Sequence, residues 1–396
     1  MQKQSFYQID SKNNIREWNI MVIDHGQAGA EIIVESGIMS GSMVLATTPI
    51  HMGKNIGKTN ETTPYQQACL QAQSEIDKKI TKGYQKDINF VTSSAINGAG
   101  IPAPMLANKY DPTLKQKGSK NLNKLKLIGK EVGLQPKFDG NRMVSHVTLN
   151  GTKLYTRTGK PFIPIPHIQD QLTACFKKIY NYVNEKYGVT EYFIDGELFT
   201  TVCSFNKLNG VIKKESKTKE DEELILKLNY HIYDVILPVG YRTRMKIIDY
   251  FKSTNLKVVD TKIVKAEENL LQSQLEKFLE EGHEGMMIRQ LDFSYENKRT
   301  DQLLKCKIFE DDEFEIIGFK KSSEGETLGS IQFKMSDGKT FFAAYVGKDD
   351  EQLEIWNNQN KYLGMTMTVE FFGYSKPEEG GKPRFPKAKG QRVEQD

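Results

Sequence analysis

At 396 residues, with 27% charged and 38% hydrophobic residues and a net charge of +4, the chain has material for two or three domains that each bury a core. No apolar run approaches the roughly 20 residues of a membrane span, and "MQKQSFYQID" lacks the apolar stretch of a signal peptide, which predicts a cytoplasmic protein of a microbial or viral host cytosol with no membrane partner. Cys69, Cys175, Cys203 and Cys306 show neither disulfide nor zinc spacing, which fits a reducing compartment.

The chain opens with strand-like runs, "SFYQID", "REWNIMVI" and "EIIVESGI", separated by Gly, Asn and Ser turn signals. A helix follows: Thr63 is the N-cap, Pro64 takes the first helical position and Gln66 completes a capping box. Ala68, Ala72, Ile76 and Ile80 recur every fourth residue, and Gly83 is the stop. These features predict a strand-plus-helix accessory domain over residues 1–88. The Gly/Pro-rich "FVTSSAINGAGIPAP" predicts a linker over 89–104.

A larger mixed segment spans 105–309. The acidic "EDDE" at 310–313 marks its joint to a β domain over 310–396, read from alternation in "FEIIGF", "SIQFKMSDGKTFFAAYV" and "MTMTVEFFGY". The fold class is therefore α+β and multidomain. Basic residues cluster twice. Residues 115–130 carry Lys115, Lys117, Lys120, Lys124, Lys126 and Lys130, and residues 376–392 carry Lys376, Lys382, Arg384, Lys387, Lys389 and Arg392 against Glu378 and Glu379. Such blocks in a near-neutral chain suit a polyanion held at defined places, or simply a solvated face.

Polar residues set in apolar strands carry the chemistry. In order they are "PKFDGNR" (136–142), "TRTGK" (156–160), "YFIDGELF" (192–199), "HIYDVI" (231–236), "EGMMIR" (284–289) and "LLKCKIF" (303–309). Each alone has a plain explanation, a turn before a strand or an edge strand with its lysines in water. Charges at the ends of so many apolar strands call for a shared one, because an unpaired buried charge is costly.

The ordered set resembles the covalent nucleotidyltransferases, which comprise nucleotide-dependent DNA ligases, RNA ligases and mRNA capping enzymes. The matches are Lys137, Asp139, Gly140 and Arg142 for Lys-x-Asp-Gly-x-Arg; Arg157 and Gly159; Asp195, Gly196 and Glu197; Tyr233 and Asp234; Glu284 and Gly285; and Lys305 and Lys307. "PMLA" at 104–107 is similar to the segment before the nucleophile in ATP-dependent DNA ligases. The resemblance runs over about residues 104–392. It implies an ATP-grasp-like adenylation domain with antiparallel sheets and a C-terminal OB-fold barrel.

It also implies roles. Lys137 attacks the α-phosphorus of ATP, which requires its neutral amine. Moving a lysine from about 10.4 to near 7.5 takes roughly 4 kcal/mol of differential stabilisation, at about 1.4 kcal/mol per unit. Lys305, Lys307 and a bound Mg²⁺ (or Mn²⁺) disfavour a charged Lys137 and stabilise the phosphates. Glu197 and Glu284 are the expected metal ligands, with Glu197 alternatively facing the ribose. Tyr233, in place of the family's more frequent phenylalanine, offers a flat surface to adenine. Arg142 and Arg157 bind phosphate through paired donors. Asp139 orients the attacking hydroxyl in later steps. Gln135 stands where the family commonly has an acid, near the base.

The ending "GKPRFPKAKGQR" is similar to the last motif of ATP-dependent DNA ligases, which assigns Arg384, Lys387 and Arg392 to the pyrophosphate. Such an OB domain swings over the site, with a hinge near 308–312. An NAD-dependent ligase would carry a four-cysteine module, and a capping guanylyltransferase would end differently. An RNA ligase acting on RNA-containing nicks is the nearer alternative, and an inactive end-binding scaffold is another. The reading is an ATP-dependent DNA ligase, a monomer, that seals 5′-phosphate/3′-hydroxyl nicks in duplex DNA. The first 85 residues, with "GKNIGKTNETTPYQQACLQAQSEIDKKITKGY", resemble a WGR module without its Trp-Gly-Arg signature, which implies possible DNA contact.

Overall fold

The alternating apolar residues of the first 50 positions form an antiparallel sheet of β1 (Gln4–Ile9), β2 (Ile15–Asp24), β3 (Ala30–Ile38) and β4 (Met43–Ile50), paired in that order. The computed structural model describes residues 1–10, 12–91, 95–112, 118–307, 310–322, 327–347, 349–371, 373–375 and 380–389. Strand β4 escaped the sequence pattern because it is an outer strand, exposed along nearly its whole length, where Pro49 is tolerated.

Helix α1 (Pro64–Thr81) covers one face, burying Ala68, Ala72 and Ile76 against Phe6, Trp18 and Ile20. Its capping box is formed: the Gln66 N–H donates to Thr63 Oγ1 at 3.2 Å, and the Thr63 N–H donates to Gln66 Oε1 at 2.9 Å. A cap of this kind contributes about 1 kcal/mol. Ile80 departs from the expected stripe and is 43% exposed. The expected linker is knotted onto itself, with Ala103 N–H donating to Ala95 O at 2.7 Å and Asn97 N–H to Ile101 O at 2.9 Å.

Ten further strands build two five-stranded sheets. They are β5 (Leu106–Lys109), β6 (Glu131–Lys137), β7 (Asn141–Thr148), β8 (Gly151–Thr156), β9 (Tyr192–Phe199), β10 (Asn229–Val235), β11 (Leu256–Val258), β12 (Lys262–Lys265), β13 (Gly285–Gln290) and β14 (Arg299–Cys306). One sheet has the order β11-β10-β9-β7-β8, the other β12-β6-β13-β14-β5. The inner pairs are antiparallel as expected, while the outermost strands β11 and β5 are parallel to their neighbours. The helix Pro166–Tyr187 shares an apolar core with the first sheet, and the helix Glu268–Glu280 with the second.

The last strands, β15 (Glu310–Lys321), β16 (Leu328–Lys334), β17 (Thr340–Val346), β18 (Thr366–Phe371) and β19 (Lys387–Lys389), close a barrel in the order β15-β16-β17-β19-β18 around Ile331, Phe333 and Val369. Among the described residues no helix is long and apolar enough to cross a membrane.

Candidate active site

The two five-stranded sheets face each other across a cleft of about 450 Å³. Register explains which residues reach it. In the second sheet Lys137 lies opposite Gly285, and Met287 lies opposite both Gln135 and Lys305. Because strand side chains alternate, Gln135, Lys137, Met287, Arg289, Leu303, Lys305 and Lys307 line the cleft. Leu134, Met286, Ile288, Leu304 and Cys306 turn into the core with the helix Glu268–Glu280. The Lys-Cys-Lys pattern is thus two cleft lysines around one core thiol. Burial pushes that thiol up to about 12.

In the first sheet Arg142, Glu197 and His231 are cross-strand neighbours. A bulge in β10 between Ile232 and Asp234 lets Tyr233 line the cleft while Asp234 points into the buried network beneath it. Gly140 is required by close approach, since a Cβ there would lie 2.5 Å from the Leu198 carbonyl oxygen and 2.8 Å from Glu197 Cγ.

The charges are arranged around Lys137. Glu284 is buried and its two oxygens take the ammonium groups of Lys137 and Lys307. Burial holds the Lys137 amine below the ordinary lysine value; Glu197 and Asp139 oppose this and Arg142 reinforces it. Burial, then Lys137, lowers Lys307 to about 8. Lys305 is lowered by burial and by Lys137, Arg299, Lys109 and Arg157. Among the described residues, Lys305 and Arg157 have no carboxylate partner, which leaves both cations available to an anionic ligand.

Several site residues are placed otherwise than their sequence suggested. Arg142 spends its paired donors inside the protein: Nε and Nη2 donate to Asp195 at 2.9 and 2.6 Å, and Nη2 to Met105 O at 2.8 Å. This makes it a brace between β7 and β9, with only Nη1 left by these bonds toward the cleft that it lines. Gln135 is fully used, donating to Tyr241 and Thr261 at 2.9 Å each and accepting from Arg289 Nε at 2.6 Å. Asp139 and Arg384 are paired with each other. Lys387, on β19, is exposed on the barrel and does not line the cleft. Arg392 lies outside the described residues, as do Lys115, Lys117, Lys376, Glu378, Glu379 and positions 308 and 309 of the expected hinge.

The two expected metal ligands differ in state. Glu284 is engaged by two lysines, whereas Glu197 is half-buried at the cleft wall, and its nearest donor, the Tyr233 hydroxyl, is 3.5 Å away. Burial pushes the Glu197 carboxyl up to about 7, with Arg142 and Lys137 opposing. A carboxyl so short of partners fits a hydrated divalent cation, which needs only one or two protein carboxylates when phosphates complete its shell. Among the described residues no group of three or more His, Cys, Asp or Glu is assembled for a metal.

Sequence reasoning missed the support beneath the cleft. Asp234 accepts from Arg244 Nε and Arg289 Nη1 at 2.7 Å each, and the Tyr295 hydroxyl donates to Asp195 at 2.6 Å. Arg289 also lies 5.5 Å from the Tyr233 ring centroid and so backs the aromatic wall. Its signal was a charged residue ending the apolar run "EGMMIR".

This cleft, its lysine-bearing strands and the barrel beside it belong to a nucleotidyltransferase of the ligase type. Residues 104–307, just over half of the chain, match the ATP dependent DNA ligase domain family, and the chain belongs to that family. It is 25% identical over 324 residues to the DNA ligase of African swine fever virus, covering 78% of this chain and 69% of the viral one. The same fold occurs in the solved structure "Pmar-Lig_PreS3", with TM-score 0.57 at 20% identity over 73% of this chain and 68% of that one. It occurs also in a Lig E DNA ligase, with TM-score 0.53 at 21% identity over 73% of this chain and 98% of that one. The family makes the chain an enzyme that uses ATP and DNA.

Proposed function

We propose that the protein seals 5′-phosphate/3′-hydroxyl nicks in duplex DNA through a lysine-AMP intermediate on Lys137. The observation that carries this is the placement of Lys137, its amine depressed by burial, in a cleft that also holds Lys305, Lys307 and Arg157.

In the first step the neutral Lys137 Nζ attacks the α-phosphorus of ATP and pyrophosphate leaves. Glu284, already hydrogen-bonded to Nζ, holds the proton that the amine sheds. Lys305, Lys307 and Arg157 receive the phosphate charge as it moves toward the leaving group. Tyr233 supports adenine. A Mg²⁺ held at Glu197 would supply Lewis-acid neutralisation of the phosphates, and Glu284 would join it only when free of that proton and of the lysines.

In the second step the nick 5′-phosphate oxygen attacks the AMP phosphorus and the P–N bond to Lys137 breaks. In the third the 3′-hydroxyl attacks the DNA 5′-phosphorus and AMP departs. Asp139 lies beside the nucleophile, where it orients that hydroxyl after Arg384 lets it go.

The same reading makes residues 1–88 an accessory DNA-contacting unit, 105–309 the adenylation domain and 310–396 the mobile OB-fold, in a protein acting as a monomer. The test is sealing of a 5′-phosphorylated nick with ATP and Mg²⁺ in three duplexes: all DNA, RNA on the 3′-hydroxyl side, and RNA on the 5′-phosphate side. Efficient joining of the all-DNA nick is the expected result; joining confined to RNA-containing nicks would make the enzyme an RNA ligase.

A further inference from the structure

The turn carrying Arg157 is packed against the segment that leads back to the first sheet. Gly159, at φ +81°, has no room for a side chain, since a Cβ would lie 1.9 Å from Asn97 Nδ2. A Cβ on Gly98 would meet the Ile80 carbonyl oxygen at 2.2 Å, and the Gly98 N–H donates to Thr81 O at 3.2 Å. Asn97 and Gly98 are therefore wedged between the Arg157 turn and the C-terminal end of α1, which fixes that helix end beside the mouth of the cleft.

That end is basic and aromatic. The Lys79 ammonium lies 4.9 Å from the Trp18 ring centroid and 4.6 Å from that of Tyr84, and the Lys86 ammonium 5.7 Å from that of Phe6. Lys82 and Lys86 are exposed, and Arg16 acts on Tyr84 from β2. None of Arg16, Lys79, Lys82 and Lys86 forms an ion pair among the described residues. Acids lie near this group: Asp10 accepts from Asn14 N–H at 3.0 Å and faces Arg16, Glu75 takes Lys78 at 2.7 Å, and Asp87, next to Lys86, accepts from Asn89 N–H at 2.8 Å. The carboxylates of Glu17, Glu31 and Glu35 alternate with core residues and so lie on the far face of the sheet, where Glu35 binds Lys3. On the side that adjoins Arg157, Arg16, Lys79, Lys82 and Lys86 thus outnumber the nearby acids Asp10 and Asp87, which leaves that side net positive.

We propose that Arg16, Lys79, Lys82 and Lys86 track the phosphate backbone of the duplex whose nick is held in the cleft, extending the site past Arg157 onto one arm of the DNA. This rests on the ligase reading and deepens it, naming the residues by which the accessory unit meets the duplex and the single arm they meet. Cations without acidic partners gain by displacing condensed counterions from DNA, so the contact is salt-sensitive and blind to sequence.

The test uses the full chain carrying Lys82→Glu and Lys86→Glu, with the milder Lys82→Gln/Lys86→Gln pair beside it. Dissociation constants for a nicked duplex are measured across a salt series and with the two arms shortened in turn. The expected result for the charge reversal is at least a 10-fold weaker affinity on long duplexes, and a salt slope shallower by about two, near 0.9 per lost phosphate contact. The glutamine pair falls between. Shortening one particular arm abolishes the difference, and self-adenylation is unchanged because it involves no DNA. Wild-type affinity and slope in the variants, or an equal loss on the shortest duplexes, would overturn the proposal. Failure of the unmodified protein to seal nicks would instead remove the ligase reading on which it rests.

Discussion

Asp139, two residues after the nucleophilic lysine, accepts a hydrogen bond from the guanidinium of Arg384, 245 residues further along the chain. One is the acid of "PKFDGNR", the other the arginine of "RFPK", so the pair ties the barrel to the cleft. Both partners are partly exposed, with 28% and 27% of their side chains accessible, and this suits a contact that breaks in turnover. Replacing Arg384 with alanine is expected to slow self-adenylation by roughly 10- to 100-fold, the equivalent of one charged hydrogen bond of about 1.5–3 kcal/mol. Sealing of a pre-adenylated nick should fall much less. Equal losses in the two assays would mean that Arg384 serves the later steps.

The brace between Arg142 and Asp195 makes a different prediction. Asp195 is 1% exposed and also accepts from Tyr295. Asp195→Asn leaves a buried guanidinium without its counter-charge and should destabilise the protein by about 3–5 kcal/mol. Urea unfolding reads this directly; a loss below about 1 kcal/mol would show that Arg142 is solvated by another route.

His231 supplies the pH dependence. It sits 4.5 Å from the Phe138 ring, and burial, aided by Lys257 and His283, pushes it down to about 4 from an ordinary 6.5. Between those values the folded protein binds fewer protons than the unfolded chain. Its contribution to stability is therefore complete above pH 6.5 and lost as pH falls toward 4, at no more than about 1.4 kcal/mol per pH unit for one proton. His231→Phe should flatten stability across that window, measured by chemical denaturation at stepped pH.

The cysteines predict a reactivity order. Cys69 and Cys203 are partly accessible, whereas Cys175 and Cys306 are buried. Since the thiolate is the reactive form, a thiol held near 12 by burial is inert at pH 8. Alkylation of the native protein, read by peptide mass spectrometry, should label Cys69 and Cys203 first and leave self-adenylation intact. Early modification of Cys306 would mean that β14 opens readily.

The fold was legible where a period or a cap governs it. The helix behind Thr63 and Pro64 follows from its capping box, and β15 to β18 from their alternation, whereas the short β19 and the helices Asp349–Asn357 and Gln359–Tyr362 within the expected all-β segment do not. Strand β4 was not legible, because an exposed outer strand carries no apolar alternation. The order "KFDGNR", "DGEL", "EGMMIR", "KCK" pointed to the cleft because each motif lies on, or at the end of, a strand that borders it. What sequence could not show was pairing among the charged residues. Arg142 and Gln135 look like ligand contacts in sequence, yet Nε and Nη2 of Arg142 and the amide donors of Gln135 are taken by Asp195, Met105, Tyr241 and Thr261, most of which lie far away in the chain. The same limit hid Arg244 and Arg289, whose purpose is apparent only once Asp234 is seen between them.

The most direct measurement is covalent labelling of the protein with ATP radiolabelled in the α-phosphate, comparing the natural chain with Lys137→Ala. An acid-labile, alkali-stable phosphoramidate adduct is expected on the natural chain and none on the variant, whose thermal unfolding should still be cooperative. Undiminished labelling of Lys137→Ala would contradict the assignment of the nucleophile, and with it the chemistry built around Glu284, Lys305 and Lys307.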